Sequence, residues 1–164
     1  VVDGKALDGA NLIAGEWGHN PLPWPQADEQ PGPECYCGKR GCVETFLSGP
    51  GLARDHERTT GKVLSAGEIV DRAADGDAAA GAALERYEDR MARALATVIN
   101  LLDPEVIVLG GGLSNIERLY QNVPALWQRH TFSDLVTTRL VRAAHGDSSG
   151  VRGAAWLWPR GTES

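Results

Sequence analysis

No stretch of this sequence approaches the ~18 consecutive apolar residues of a membrane-spanning helix. No basic-then-apolar leader opens it either, so a cytoplasmic protein without membrane contact is the expectation. A basic stripe is also missing. Lys and Arg number 16 against 22 Asp and Glu, for a net charge of −6, and they are scattered among the acids. That distribution argues against a nucleic-acid partner and leaves a small neutral substrate open. There is no internal repeat and no low-complexity tract. An initiator methionine is lacking as well. Val1-Val2-Asp3-Gly4-Lys5 reads as mid-strand followed by an Asp-Gly turn, so a fragment whose amino-terminal part is absent is expected.

Cysteine is scarce: three among 164 residues. A chain of this length buries about 68–70% of its unfolded surface, so no staple is needed to compensate for a small core. An odd count at close spacing fits a reducing compartment and a metal better than a disulfide framework. The alternative is one disulfide and one free thiol.

What is present gains weight from that scarcity. Cys35, Cys37 and Cys42 lie in one short run, Cys35-Tyr36-Cys37-Gly38-Lys39-Arg40-Gly41-Cys42, and His19 lies upstream in Gly18-His19. Three thiolates and one imidazole complete a tetrahedral zinc shell with no open position, which is the mark of a structural site. Gly38 and Gly41 let the chain turn back so that Cys42 reaches the same ion. Glu16 and Glu44 flank these ligands. They read either as surface carboxylates capping nearby elements or as acceptors for substrate hydroxyls beside the free nitrogen of a metal-bound imidazole.

Along the chain, residues 20–34 carry Pro21, Pro23, Pro25, Pro31 and Pro33, which forbids helix and predicts a surface loop. Trp24 in that loop either covers a pocket edge or packs down as an anchor, the second being favoured. A helix is predicted from just after Cys42 toward Arg58, interrupted at Gly49-Pro50-Gly51 and closed by Gly61. Ser65-Ala66-Gly67-Glu68 is a capping box opening a helix to about Ala74, and Asp77 caps the next. There, Leu84, Tyr87, Met91, Leu95, Val98 and Leu102 recur at three- and four-residue steps, the stripe of a long helix with a core face. Pro104 ends it.

Glu105–Leu109 is an apolar run of strand length, as in a sheet covered on both faces. Gly110-Gly111-Gly112 follows, then Ser114-Asn115-Ile116-Glu117 as a second capping box with a helix to about Arg129. A strand is expected near Thr138–Ala144 and a helix over Ser148–Trp158, packed down by Trp156 and Trp158. Strand–helix alternation indicates an α/β class. The triple glycine permits backbone to approach a nucleotide, or is simply a tight turn; it matches neither G-x-G-x-x-G nor the phosphate loop. His145-Gly146-Asp147-Ser148-Ser149 is read as a helix cap with Asp147 or Ser148 accepting from amides, not as hydrolytic machinery. His56 and His130 are read as surface residues.

Gly15-Glu16-Trp17-Gly18-His19 together with Cys35-x-Cys37-Gly38-x-x-Gly41-Cys42-x-Glu44 resembles the signature of the ROK family of bacterial sugar kinases and repressors. Val106–Ser114 resembles that family's adenosine-side motif. Glu16–Trp24 and His145–Trp158 resemble the fructokinase, or manno(fructo)kinase, branch. The resemblance implies an actin-like (ribonuclease H-like) two-domain sugar kinase, of which this chain is the carboxy-terminal portion with a zinc-binding loop. It implies zinc on His19, Cys35, Cys37 and Cys42, sugar contacts from Glu16, His19 and Glu44, and Mg-ATP lying against Gly110, Gly111 and Gly112. Residues 1–60 would be the sugar and zinc segment, 61–147 the helical, nucleotide-side segment, and 148–164 a terminal helix. The family's early phosphate motif and the Asn-Asp pair that supplies its catalytic base do not occur in this sequence. The implied activity is ATP-dependent phosphorylation of a free hexose, fructose foremost, in a homodimer. A sugar-responsive repressor and a silent sugar-binding remnant are the alternatives.

Overall fold

The computed structural model describes residues 1–155. Val2 and Lys5 form an isolated antiparallel bridge around Asp3-Gly4, whose φ values of 49° and 74° are those of a tight turn with both central residues left-handed. A 3-10 turn, Glu16–His19, precedes the proline-rich loop, within which Ala27–Glu29 forms a second. The helices then follow: α1 (Val43–Phe46), α2 (Gly49–Thr60), α3 (Ala66–Ala74) and α4 (Ala78–Leu102). Strand β1 (Val106–Leu109), α5 (Leu119–Trp127), strand β2 (Arg139–Arg142) and α6 (Ser149–Ala155) complete the order. The expected continuation of α6 through Trp156 and Trp158, and the run to residue 164, lie outside the described residues.

The break after Cys42 falls at Leu47-Ser48, not at the glycines. Ser48 caps α2 by accepting from the Gly51 amide, and Gly49-Pro50 form its first turn, where a proline's missing N–H costs nothing. Gly61 closes α2 in the left-handed conformation, as expected. Ser65 and Glu68 make both bonds of the capping box, and Asp77 accepts from the amides of Ala79 and Ala80. The second predicted capping box does not form. Ser114 Oγ donates to the Gly111 carbonyl within a 3-10 turn, Gly112–Asn115, and Glu117 pairs with Arg142 instead. The helix therefore begins only at Leu119. Further on, Ser148 Oγ donates to the His145 carbonyl, so this hydroxyl does not serve as the expected cap. The Asp147 side chain lies outside the described set.

Helix α4 is the spine. Its Leu84, Tyr87, Met91, Leu95 and Ile99 enter one buried cluster with Leu52 of α2, Ile69 of α3, and Leu119, Val123 and Trp127 of α5. Leu102, at the end of the predicted stripe, is exposed. A smaller cluster joins Leu22, Val43 and Phe46 to Ala94, and it fastens the proline loop and α1 to the same helix. Strands β1 and β2 pair in parallel, Val106 opposite Arg139 and Leu109 opposite Arg142, with α5 in the crossover. The expectation that β1 is covered on both faces fails. Ile107 and Leu109 pack toward the core, whereas Val106 and Val108 are 37% and 54% exposed. Among the described residues only one face of the strand is lined by helices.

The four-donor cluster and the adjoining clefts

The loop that carries the cysteines is a set of backbone reversals. The Cys35 amide donates to the Lys39 carbonyl, the Gly38 amide to that of Cys35, and the Gly41 amide to that of Pro33. Gly38 and Gly41 have φ of 84° and 73°, a region in which only glycine is unstrained. Gly32 is glycine for space, because a side chain there would stand 2.5 Å from the Gly41 Cα. His19 reaches the same spot because its strand segment pairs back. Leu22 donates to Gly41, and Val43 donates to Asn20, so residues 20–22 run antiparallel to 41–43 around the Pro21–Cys42 bridge.

These reversals gather four donors whose ligating atoms all lie within 4.8 Å of one another. Cys37 Sγ is 3.6 Å from Cys42 Sγ, and Cys35 Sγ is 3.5 Å from His19 Nδ1. At Zn–S and Zn–N bonds of about 2.3 and 2.05 Å, a tetrahedron sets thiolate edges at about 3.8 Å and thiolate–nitrogen edges at about 3.6 Å. The donor set and its spacing therefore fit zinc. Burial pushes the Cys42 thiol up to about 11, while the Lys39 backbone amide and the neighbouring Cys35 and Cys42 sulfurs bring Cys37 down.

The outer edge of the imidazole faces the carboxylates. His19 Nε2 lies 3.6 Å from Glu16 Oε2 and 3.8 Å from Glu44 Oε2. Glu16 opens the 3-10 turn that ends at His19, and Glu44 sits in the first turn of α1, immediately after Cys42 and Val43. Sequence reasoning singled out all three. It missed Tyr36, whose hydroxyl is 2.8 Å from the same Nε2. Burial first, then the nearby Glu44, Cys35, Glu16 and Cys37, raise the Tyr36 phenol and keep it neutral.

The triple glycine lies apart from this cluster. Gly110, Gly111 and Gly112 are exposed, and a side chain at any of them would meet open space. Gly112 and Leu113 form one wall of a cleft of about 570 Å³, with Gly49 of α2 and Ala66, Gly67 and Val70 of α3 opposite. Nothing in the sequence marked α3 as a cleft wall. Between the two regions, a cavity of about 170 Å³ is lined by Trp17, Leu47, Tyr87, Leu109, Gly110 and Ser114 among others. The indole N–H of Trp17 is buried there without a partner, so one side chain beside His19 reaches toward the glycine turn.

A further hollow of about 290 Å³ lies between the proline loop and α2. Most of its charges are paired with one another, and Arg54 donates to the Thr45 carbonyl. Arg90 pairs with Glu29 at 2.7 Å and Asp55 at 3.0 Å, and Arg58 with Asp55 at 3.2 Å and Asp28 at 3.4 Å. Arg93 donates to both oxygens of Glu29, at 2.7 and 3.0 Å, and to the carbonyls of Pro23 and Trp24. This network anchors the loop, which corrects the expectation for Trp24. The tryptophan is 56% exposed and stacks on His130 with centroids 5.5 Å apart. His56 is also corrected. It is 1% exposed, and its Nδ1 meets the Lys62 carbonyl at 3.2 Å and the Thr60 hydroxyl at 3.3 Å.

The profile of the ROK family matches residues 1–161. An N-acetyl-D-glucosamine kinase of Photobacterium profundum is 41% identical over 161 residues, covering 96% of this chain and 53% of that protein. The chain thus spans about half the length of the curated relatives it matches. The crystal structure of a ROK hexokinase from Thermus thermophilus superposes with a TM-score of 0.76 at 29% identity, over 93% of this chain and 49% of the other. That of a ROK family transcriptional regulator, a homolog of the E. coli MLC protein, gives 0.68 at 28% identity, over 87% and 37%. The actin-like kinase fold expected from the sequence is supported. The fructokinase branch is not carried by the kinase relative, whose name is that of an N-acetyl-D-glucosamine kinase.

Proposed function

The chain belongs to the ROK family, and from that premise we propose that it forms the sugar-gripping and adenosine-facing half of an ATP-dependent sugar kinase. The observation that carries this reading is the two-sided setting of His19, with Nδ1 turned to the sulfurs and Nε2 turned to Glu16 and Glu44. Residues 1–60 hold the sugar and 61–147 face the nucleotide.

His19, Cys35, Cys37 and Cys42 hold zinc, which when bound supplies loop order and fixes the imidazole, not hydrolytic chemistry, because the shell has no open position. With Nδ1 committed to the metal, Nε2 carries the proton and donates to a sugar hydroxyl. Glu16 and Glu44 accept from neighbouring hydroxyls. Such a set discriminates strongly, since a buried partner left unpaired costs binding. Gly110, Gly111 and Gly112 let the adenosine side of Mg-ATP approach the backbone, and the cleft against α3 gives it a wall. Transfer to a primary hydroxyl then depends on holding acceptor and donor in line, with closure excluding water. The proton acceptor of the family resemblance, an aspartate after asparagine, has no counterpart in this sequence.

Fructose is the acceptor suggested by the motif runs. The 41% identity with an N-acetyl-D-glucosamine kinase weighs toward N-acetyl-D-glucosamine, and we adopt that acceptor. The regulator among the structural neighbours favours a second reading, sugar-responsive repression. Mg-ATP-dependent ADP release by the complete polypeptide, assayed with N-acetyl-D-glucosamine, fructose, mannose and glucose, tests the proposal. Turnover greatest with N-acetyl-D-glucosamine is expected. No turnover with any sugar, together with sugar-sensitive DNA binding, would replace the kinase with the regulator.

A further inference from the structure

Tyr36 separates two of the four donors. It is 83% exposed, so few packing contacts hold it. Its hydroxyl nevertheless sits 2.8 Å from His19 Nε2, and its ring stands edge-on to the imidazole, centroids 4.9 Å apart at 88°. Cys35 and Cys37 on either side fix its backbone, which aims the side chain across the carboxylate edge of the cluster. With Nδ1 facing the sulfurs, Nε2–H is the donor and the Tyr36 oxygen accepts. That is the direction in which a sugar hydroxyl must arrive, between Glu16 at 3.6 Å and Glu44 at 3.8 Å from the same nitrogen.

We propose that Tyr36 sets the affinity and selectivity of the sugar site: its phenolic hydroxyl holds the place of a sugar hydroxyl until a sugar displaces it. The inference rests on the assignment of Glu16, His19 and Glu44 to the sugar. Displacement exchanges one hydrogen bond on Nε2 for another, so a sugar gains from that contact only the difference. A sugar lacking a correctly placed hydroxyl leaves the tyrosine where it is. The exposed ring has room to rotate away, and no core contact is lost when it does.

The test compares the complete zinc-loaded polypeptide with its Tyr36→Phe, Tyr36→Leu and Glu44→Gln variants, by metal content and by calorimetric titration with N-acetyl-D-glucosamine and fructose. Both Tyr36 variants should keep zinc and bind the sugar roughly two- to tenfold more tightly, the worth of one net hydrogen bond. Structural damage does not produce a gain of this kind. Unchanged or weaker binding in both would overturn the proposal, as would loss of zinc from both, which would make Tyr36 a wedge for the metal loop. If Glu44→Gln leaves both sugars unaffected, the fault lies with the sugar-site assignment itself.

Discussion

His19 is a single ring with two duties, and each nitrogen can be tested through the residues it faces. Cys37→Ser removes one of four ligands and should cut zinc affinity by about 100-fold or more while weakening sugar binding with it; metal analysis of the purified variant beside a sugar titration checks both. Binding also requires the protons on the thiols to leave. The Cys42 thiol, pushed up to about 11 by burial, is protonated through neutral pH when no metal is present. Zinc loading must therefore weaken as pH falls, with retention at about pH 8 and progressive release toward about pH 5 in the presence of a chromogenic chelator. On the other nitrogen, Glu44→Gln should raise the sugar KM by about 10-fold or more and leave that for ATP near its starting value. Normal sugar KM values would remove Glu44 from the site. The donor set was legible in the sequence because cysteine is otherwise absent, so three in one run cannot be background. Tyr36 was not, because its contact arises from the backbone reversal at Gly38, which spacing alone does not orient. His56 was misread for a related reason. A helical histidine looks like surface until the chain after Gly61 returns its Lys62 carbonyl to the ring.

Helix α4 and the proline loop form one mechanical element. The apolar stripe of α4 was visible as a helical period, but Arg90 and Arg93 fall on buried positions of the same helix and carry no period of their own. Prolines took amide donors from the loop, and Arg93 supplies donors from the helix to its carbonyls instead. Glu29 is the keystone, because it faces both guanidiniums. Glu29→Gln leaves two buried cations short of charge and should cost about 3–5 kcal/mol, read as a lowered midpoint in denaturant. Burial raises the Glu29 carboxyl, but Arg93 and Arg90 more than offset it and hold it below the usual range; Asp55 is held down in the same way by Arg86 and Arg90 against its burial. A depressed carboxylate stabilises above its unfolded pKa, about 4.3 for Glu and 3.9 for Asp, and that stability is lost as pH falls through the lower folded value. The melting temperature should therefore hold down to about pH 5 and drop below about pH 4, with a shallower acid limb in Glu29→Gln. Element boundaries were the weaker part of the sequence reading. At Ser114 a hydroxyl chose a carbonyl acceptor in a 3-10 turn over an amide in a capping box, and a four-residue motif does not distinguish the two.

At the scale of the whole molecule, two apolar clusters of unequal size among the described residues divide the labour. The large one joins α2, α3, α4 and α5; the small one, with Leu22, Val43 and Phe46, is the apolar tie of the metal loop to α4. Removing the metal should therefore loosen residues 33–42, which the Leu22 cluster and the Glu29 network do not hold, without unfolding the helices. Treatment with a chelator is expected to leave far-ultraviolet circular dichroism nearly unchanged while new protease cuts appear within that segment; a cooperative loss of helix would contradict the division. The 164-residue chain alone should transfer no phosphoryl group, since no aspartate follows an asparagine in it, and ADP release by the purified chain with any hexose would refute that. The α/β class and the order of helices were readable from the sequence, whereas the one-sided burial of β1 was not, because an apolar run does not say how many faces are covered. The rigid ring between the sulfurs and the two glutamates also makes carbohydrate affinity a gauge of ionic size. Cadmium, more thiophilic and larger, would fill the cage intact and press the imidazole outward, so a correctly folded, fully metallated protein would still grip its ligand poorly.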